Sequence, residues 1–177
     1  ADVGENLERC RHWVRQAARR GAKVVLLPEN SAFMGPEADK RAIAEKLGDA
    51  GAPIQAALAS MARESGVVLI AGGFPEASAD YERPFNTLAV FGPDGALRER
   101  YHKIHLFDVR LPDGTEISES VASSAGREPA VVDVLGYKLG LSICYDLRFP
   151  ELYRALTVLG AEVLLVPAAF TLLTGKD

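Results

Sequence analysis

The chain has 177 residues, a formal net charge of -4 and a hydrophobic fraction of 48%. These values are typical of one globular domain and exclude the disordered, collagen-like and disulfide-stapled classes. The charges are mixed and form no basic block, so the sequence predicts a small-molecule partner and no nucleic acid. Two cysteines, no apolar run long enough to cross a bilayer and no signal-peptide pattern predict no membrane contact and a cytoplasmic location.

The first part of the chain alternates helical and strand patterns. Apolar residues repeat at helical spacing over residues 5–20, which predicts a helix with Cys10 on its buried stripe. The aliphatic run over residues 23–29 predicts a strand that is buried on both faces. Residues 37–65 predict two helices, the second of which begins near Pro53.

The rest of the chain predicts further strands, one more helix and a long loop. The expected elements are strands over 67–73 and 86–91, a turn over 92–95, a returning strand over 96–103, a loop over 111–129, strands over 131–134 and 138–144, a helix over 148–159 and a strand over 162–167. This order predicts a mixed α/β fold with helices outside the sheets. A long loop in a compact domain is usually functional.

Cys144 lies at a junction between an apolar run, residues 139–143, and a polar stretch, residues 145–151. A strand-to-helix turn directs side chains and free backbone N–H groups into one small space. A thiol there can therefore act as a nucleophile beside part of an oxyanion site. A free cysteine also behaves as a small core hydrophobe, and this segment alone leaves both interpretations open.

Three predicted strands end in a reactive or charged residue: Glu29, Lys103 and Cys144. Ligands of parallel sheets collect beyond the carboxyl ends of the strands, so these side chains are expected to meet. A carboxylate, an ammonium group and a thiol suffice for attack on an amide or nitrile carbon without a metal or cofactor. Taken singly, Glu29 and Lys103 also fit solvated strand ends.

Residues 26–30 (LLPEN), 101–108 (YHKIHLFD) and 142–152 (SICYDLRFPEL) resemble the three signature blocks of the nitrilase superfamily of carbon-nitrogen hydrolases. The third block is most similar to the Nit amidase branch. The resemblance implies a single domain over residues 1–177 with a four-layer αββα sandwich, forming a homodimer or higher homo-oligomer. Against the family pattern, the chain is expected to lack the first strand and the C-terminal part of the domain.

The same resemblance implies a role for each matching residue. Glu29 is expected to be the general base, Lys103 the oxyanion-stabilising residue and proton donor, and Cys144 the nucleophile. Glu119, in the loop between the second and third blocks, is expected to orient the lysine. The backbone N–H of Tyr145 is expected to be a second oxyanion donor.

The branch implies hydrolysis of the terminal carboxamide of a small carboxylate-bearing acid through a cysteine thioester, with release of ammonia. Deaminated glutathione is the closest implied substrate, and an omega-amidase or another hydrolase of the superfamily is the alternative. Arg148 would supply a cation for the substrate carboxylate. An Asp146–Arg148 pair at a helix start also fits a capping role.

Other interpretations remain. His102 or His105 could serve as the base for Cys144 in a Cys-His hydrolase. The same two histidines suggest a metal, but the sequence offers no third ligand at zinc-like spacing. The chain could also be a catalytically inactive oligomeric or regulatory module.

Overall fold

The computed structural model describes residues 2–49, 51–111 and 114–170. Its elements, in chain order, are α1 (Val3–Arg19), β1 (Val24–Leu26), a 3-10 helix (Glu37–Ile43), α2 (Pro53–Ser65), β2 (Val68–Glu76), β3 (Phe85–Phe91), β4 (Leu97–His102), β5 (Asp108–Arg110), β6 (Glu116–Ser118), a 3-10 helix (Glu119–Val121), β7 (Ala130–Val134), β8 (Tyr137–Leu141), a 3-10 helix (Cys144–Arg148), α3 (Pro150–Val158) and β9 (Val163–Leu165).

Local sequence signals set the limits of the first two α-helices. The Asp2 side chain accepts a hydrogen bond from the backbone N–H of Glu5 at 2.9 Å and caps the start of α1. Helix α2 has Pro53 in its first turn, and it ends at Gly66, whose φ of 62° lies in the left-handed region. Cys10 is 8% exposed, so its predicted place in the core is confirmed.

The larger sheet has the strand order β1-β2-β3-β4. Strand β1 runs parallel to β2, whereas β2 and β3, and then β3 and β4, are antiparallel. Two reversals of direction leave β1 and β4 pointing the same way. The carboxyl ends of β1 and β4 therefore lie at one edge of the sheet, where Glu29 and Lys103 follow them.

The two faces of this sheet are covered by different layers. Leu69 and Ala71 of β2 pack with α1 and α2, whereas Val68 and Ile70 pack against the second sheet, which has the order β7-β8-β9. The alternation follows the two-residue period of a strand.

Helix α3 covers the outer face of the second sheet. The packing is close: a Cβ added to Gly140 of β8 would lie 3.2 Å from Cδ1 of Leu156. The layers are thus helix, sheet, sheet and helix, and the predicted αββα sandwich is confirmed.

Several predicted elements differ in length or burial. The strand predicted over residues 23–29 is regular only at Val24–Leu26, and burial on both faces was wrong, since Leu26 is 39% exposed. In the described sheet β1 pairs with β2 alone, so it is an edge strand. Pairing continues past the strand, because the N–H of Leu27 donates to the carbonyl of Ile70 at 2.9 Å.

Two predicted helices and the predicted loop also differ from what the structure shows. The first helix expected within residues 37–65 is a 3-10 helix, and α3 begins only at Pro150 because Cys144–Arg148 forms its own 3-10 helix. The loop predicted over 111–129 contains β6 and a 3-10 helix. Residues 112 and 113 of that loop, and the final residues 171–177, lie outside the described residues.

Candidate active site

Glu29 lies just beyond β1 and is 4% exposed. Its Oε1 accepts hydrogen bonds from Nζ of Lys103 at 3.1 Å and from Nδ2 of Asn86 at 3.0 Å. Its Oε2 accepts one from the backbone N–H of Ala169 at 3.1 Å. These bonds fix the direction of the carboxylate and compensate part of the cost of burying it.

Lys103 follows β4 and is 2% exposed. Its backbone N–H donates to the carbonyl of Asn86 at 2.9 Å, which extends the strand pairing to the lysine itself. Its Nζ lies 2.8 Å from Oε2 of Glu119 and 3.1 Å from Oε1 of Glu29. Burial alone would lower the pKa of Lys103, but the charges of Glu119 and Glu29 outweigh it and raise the pKa above its ordinary value. The amine is therefore protonated throughout the physiological range.

Glu119 opens the 3-10 helix Glu119–Val121 and is 6% exposed. Besides Lys103, its Oε2 accepts the backbone N–H of Phe107 at 2.7 Å. Its Oε1 accepts Nδ2 of Asn86 at 3.3 Å. One amide group of Asn86 thus holds both glutamates on either side of the lysine.

Sequence reasoning did not assign Asn86 to the site. The available signal was a polar pair, Asn86 and Thr87, near the start of a strand that is otherwise apolar, and Asn86 is 4% exposed in the structure. Gly73 makes room for this side chain: its φ is 135°, and an added Cβ would lie 2.6 Å from Oδ1 of Asn86 and 3.3 Å from Cγ of Glu29. Only a residue without Cβ allows the backbone to pass so close.

Cys144 begins the 3-10 helix that follows β8, and it has a φ of 48°. Its N–H donates to the carbonyl of Pro167 at 2.9 Å, which ties the turn to the segment after β9. A non-glycine residue in the left-handed region carries strain and is often found at functional sites.

The thiol of Cys144 is 8% exposed, and its environment opposes ionisation. Burial, and then the negative charge of Glu29, raise its pKa to about 12, although Lys103 and the backbone N–H of Ala169 act in the opposite direction. The resting group is a thiol. For the sulfur to act as a nucleophile, a neighbouring base would have to take this proton.

A cavity of about 250 Å³ contains these groups. The described residues that line it are Glu29, Asn30, Met34, Glu37, Lys40, Lys103, Phe107, Ile117, Ser118, Glu119, Cys144, Tyr145, Ala169 and Phe170. The structure therefore brings together five of the six predicted site residues. It does not bring Arg148 to them: Arg148 is exposed and is not among the residues that line this cavity.

Arg148 is turned away because it is the last residue of the 3-10 helix that Cys144 begins. Its expected role as the pocket cation has no support in this geometry. A different cation, Lys40, lines the cavity. Sequence reasoning placed Lys40 in a helix and gave it no role.

Asp146 is fully buried and joins the lysine segment to the cysteine turn. Its Oδ2 accepts the hydroxyl of Tyr101 at 2.8 Å and the N–H of Ile143 at 2.9 Å. Its Oδ1 accepts the backbone N–H of His105 at 3.0 Å and lies 2.7 Å from Nδ1 of the same residue. Asp146 therefore does more than cap its own helix, because it also binds Tyr101 and His105 in a distant part of the chain.

The two histidines of the second block lie elsewhere. The Nε2 of His102 lies 2.9 Å from Glu76, and its ring stacks on Phe85 at 4.0 Å. The ring of His105 stacks on Phe149 at 3.8 Å, with Nδ1 at Asp146. Neither is among the described residues that line the Cys144 cavity. This placement disfavours a Cys-His mechanism.

A wider groove of about 970 Å³ lies in a different part of the molecule and includes Arg100, His102 and Gly126 in its lining. Its described lining contains none of Glu29, Lys103 and Cys144, so size alone does not identify the site.

In the described part of the chain, no helix combines the length and hydropathy needed to span a bilayer.

Comparison with known proteins agrees with this geometry. The carbon-nitrogen hydrolase family model matches residues 1–177. Deaminated glutathione amidase from Synechocystis sp. (strain PCC 6803 / GT-S) is 46% identical over 180 residues, covering 99% of this chain and 65% of that protein. The omega-amidase NIT2 of Homo sapiens is 40% identical over 173 residues, covering 97% of this chain and 60% of that protein.

Two solved structures share the fold. Saccharomyces cerevisiae Nit3, a member of branch 10 of the nitrilase superfamily, has a TM-score of 0.86 at 28% identity, covering 99% of this chain and 62% of its own. An amidase from Nesterenkonia sp. has a TM-score of 0.81 at 27% identity, with 99% and 62% covered. A mutant of that amidase carries the product of acrylamide addition at its active-site cysteine.

The chain thus spans 65% and 60% of the lengths of the two relatives named above. The family match extends over the whole chain, and the relatives and solved structures point to the same group. This chain belongs to the carbon-nitrogen hydrolases of the nitrilase superfamily, in the Nit amidase branch.

Proposed function

We propose that the protein hydrolyses the carboxamide C–N bond of a small carboxylate-bearing substrate, with Cys144 as nucleophile. The leaving product is ammonia from a primary amide and an amine from a secondary amide. The observation that carries this proposal is the shared cavity of Glu29, Lys103 and Cys144, in which Nζ of Lys103 lies 3.1 Å from Glu29. A base, a cation and a nucleophile are thus present together in a largely buried space. Burial strengthens their electrostatic interactions.

Acylation begins with removal of the thiol proton by Glu29. The sulfur attacks the amide carbon, and the negative oxygen of the tetrahedral intermediate is held by the ammonium of Lys103 and the backbone N–H of Tyr145. When the C–N bond breaks, Lys103 donates a proton to the departing nitrogen. Glu29 returns its proton to Lys103, so that ammonia, or an amine, and a thioester remain.

Deacylation reuses the same groups. Glu29 takes a proton from a water molecule, which attacks the thioester carbon while Lys103 again stabilises the oxyanion. The C–S bond breaks, the thiol regains its proton, and the carboxylic acid product leaves. Glu119 and Asn86 act as positioning residues, because they hold the lysine and the base at fixed distances.

Two substrate classes have support from relatives. The relative that is 46% identical is named a deaminated glutathione amidase, and this activity is favoured here. Omega-amidases that are 36% identical in Arabidopsis thaliana and 40% identical in Homo sapiens support the alternative. In both cases the reacting group would be the amide of a carboxylate-bearing acyl group. The amide is primary in an ω-amide, which releases ammonia, and secondary in deaminated glutathione, which releases cysteinylglycine.

The test is release of cysteinylglycine from deaminated glutathione, and release of ammonia from α-ketoglutaramate, by the purified protein. We expect turnover of at least one, and its loss in Cys144→Ala, Glu29→Gln and Lys103→Ala, with circular dichroism spectra unchanged. Mass spectrometry should detect the acyl group on Cys144. Absence of turnover and of acylation with a folded protein would favour the inactive oligomeric or regulatory module.

Two further properties belong to the same proposal. A homodimer or higher homo-oligomer is supported by exposed apolar side chains at the end of α3 and in β9, namely Val158 at 87% and Leu164 at 43% exposure. Light scattering would measure the assembly. The cytoplasmic location stays a prediction from sequence composition, which cell fractionation would test.

A further inference from the structure

We propose that Lys40 is the specificity residue that binds the substrate carboxylate, so that the protein selects amides carrying a carboxylate at their other end. The inference rests on the proposed amidase function and adds to it the group that recognises the substrate. It assigns to Lys40 a contact that the sequence suggested for Arg148.

The first observation is the burial of a charge beside the reaction site. Lys40 is 4% exposed and lines the cavity that contains Cys144. Its Nζ forms an ion pair with Oε1 of Glu37 at 2.8 Å, within one 3-10 helix. Keeping an ammonium group out of water is costly unless it is paired, and the group has three donors to satisfy. The single oxygen of Glu37 accepts from only one of these donors, so the ammonium group of Lys40 can still bind a second anion.

The second observation concerns the partner of this lysine. Oε2 of Glu37 is a buried oxygen that has no hydrogen-bond partner among the described residues. Glu37 lines the same cavity. The pair therefore offers a positive group and an acceptor to whatever enters. Such buried polar groups are usually satisfied. A donor elsewhere on the ligand, such as an amide N–H, can satisfy this oxygen, whereas the ligand's carboxylate can bind only the ammonium of Lys40.

The third observation is the division of charge along the cavity. The ammonium of Lys103 is compensated by the two carboxylates of Glu29 and Glu119, at 3.1 and 2.8 Å. A substrate carboxylate would be repelled from that cluster, whereas a neutral amide would not. Among the described lining residues, Lys40 is the cation outside the cluster, and it is paired with one carboxylate, Glu37, where Lys103 is paired with two.

A bifunctional substrate is therefore oriented by its own charges. The amide lies at Cys144, and the carboxylate is attracted to Lys40. The preferred class is an amide with a short acyl part that ends in a carboxylate, since the cavity formed by the described residues is only about 250 Å³.

The experiment compares two amides that differ in one group. Succinamate carries a carboxylate where butyramide carries a methyl group, and the amide is the same. The variant Lys40→Met keeps an unbranched apolar stem and removes the charge. Lys46→Met is the matched control, because Lys46 is exposed and lies on the same segment.

We expect Lys40→Met to lower kcat/KM for succinamate by roughly 10- to 100-fold, the usual effect of losing a hydrogen bond to a charged group. The value for butyramide should change by less than about threefold, and Lys46→Met should alter neither. An equal loss with both amides would overturn the proposal, because it would show that Lys40 supports the structure of the site. So would a wild-type protein that does not prefer succinamate.

A binding measurement separates this inference from the proposed catalysis. Butyrate, which has one carboxylate and a neutral end, should slow the alkylation of Cys144 by iodoacetamide in the wild-type protein and in Lys46→Met, but not in Lys40→Met. This readout needs no turnover. Equal protection in the wild type and Lys40→Met contradicts the role of Lys40 even in an active enzyme. Protection that depends on Lys40 in a protein that turns over neither amide contradicts the proposed reaction alone.

Discussion

The hydroxyl of Tyr101 donates a hydrogen bond of 2.8 Å to the fully buried carboxylate of Asp146. Tyr101 precedes Lys103 by two residues, and Asp146 follows Cys144 by two. Burial, together with the charge of Asp146, raises the pKa of Tyr101 far above its ordinary value, so the phenol stays a donor. This bond joins the segments that carry Lys103 and Cys144, which follow strands of different sheets.

Replacement of Asp146 should therefore disturb both stability and catalysis. Asp146→Ala leaves the buried donors of Tyr101 and Ile143 without an acceptor, and we expect the free energy of unfolding to fall by about 3 kcal/mol. The value of kcat should fall more than about tenfold, because small displacements of reacting groups are costly. Urea unfolding and steady-state kinetics measure the two effects.

Two variants serve as controls for Asp146. Tyr101→Phe removes one of the hydrogen bonds and should cost about 1 kcal/mol. Asp133→Ala, at an exposed position of β7, should have no measurable effect. Wild-type stability and activity in Asp146→Ala would show that this carboxylate does not join the two segments.

A methyl group at Gly73 should lower both the stability of the protein and the activity of the Cys144 site. The Cβ of Gly73→Ala would meet Oδ1 of Asn86 at 2.6 Å and displace the amide that holds Glu29. Gly136→Ala is the matched control, because Gly136 also has a positive φ, of 87°, and has no atom within 4 Å of an added Cβ. Gly136→Ala should lose roughly 1 kcal/mol of stability from backbone strain, and Gly73→Ala should lose more, because its Cβ also clashes with a buried side chain.

Only Gly73→Ala should lose activity, by more than about tenfold. Ammonia release and thermal unfolding of the two variants give the comparison. Equal activity in both would mean that the amide of Asn86 tolerates displacement.

The pH dependence of Cys144 alkylation should reveal the base. Because the pKa of the thiol is about 12, very little thiolate exists near neutral pH, and attack there requires proton transfer to Glu29. Glu29→Gln should therefore slow alkylation by iodoacetamide at pH 7. The negative charge of Glu29 raises the thiol pKa, so removing it lowers that pKa. The variant should then react as fast as the wild type, or faster, near pH 10.

Alkylation rates from pH 7 to 11, followed by mass spectrometry of the Cys144 peptide, would show this crossing of the two profiles. Cys10 is the internal control, because it lies in a separate core cluster. Parallel profiles without a crossing would argue against Glu29 as the proton acceptor. Lys103→Met should slow alkylation at every pH, since the lysine lowers the thiol pKa.

The histidine mechanism makes an opposite prediction. Because His102 is bonded to Glu76 and does not line the Cys144 cavity, His102→Asn should keep kcat within about threefold of the wild type. His105→Asn removes the ring nitrogen at Asp146 and should lower activity only partly. Glu29→Gln should abolish turnover. Full loss in either histidine variant with activity retained in Glu29→Gln would restore the Cys-His interpretation.

Much of this architecture could be predicted from the sequence because its signals are local. Apolar spacing gave the helices α1 and α2 and the strands of both sheets, and glycine and proline marked their limits. The three blocks around Glu29, Lys103 and Cys144 follow strand ends, and topology brings such ends to one edge. The predictions that were wrong have a physical reason as well. Periodicity does not encode the tertiary neighbours that decide whether a helical turn is α or 3-10 and whether a strand lies at the edge of a sheet.

The sequence by itself determined the αββα layering, the family and the residue types of the reaction: an acid, an amine and a thiol. Tertiary structure alone decided how these groups are held and which further cation lines their cavity. Asn86 bridges two glutamates that are 57 and 33 residues away from it in sequence, and Asp146 reaches Tyr101 across 45 residues. Arg148 is excluded from the cavity, and Lys40 enters it, because chain packing sets the direction of each side chain. Contacts of this kind exist only after distant segments have packed together, so no local pattern could have specified them.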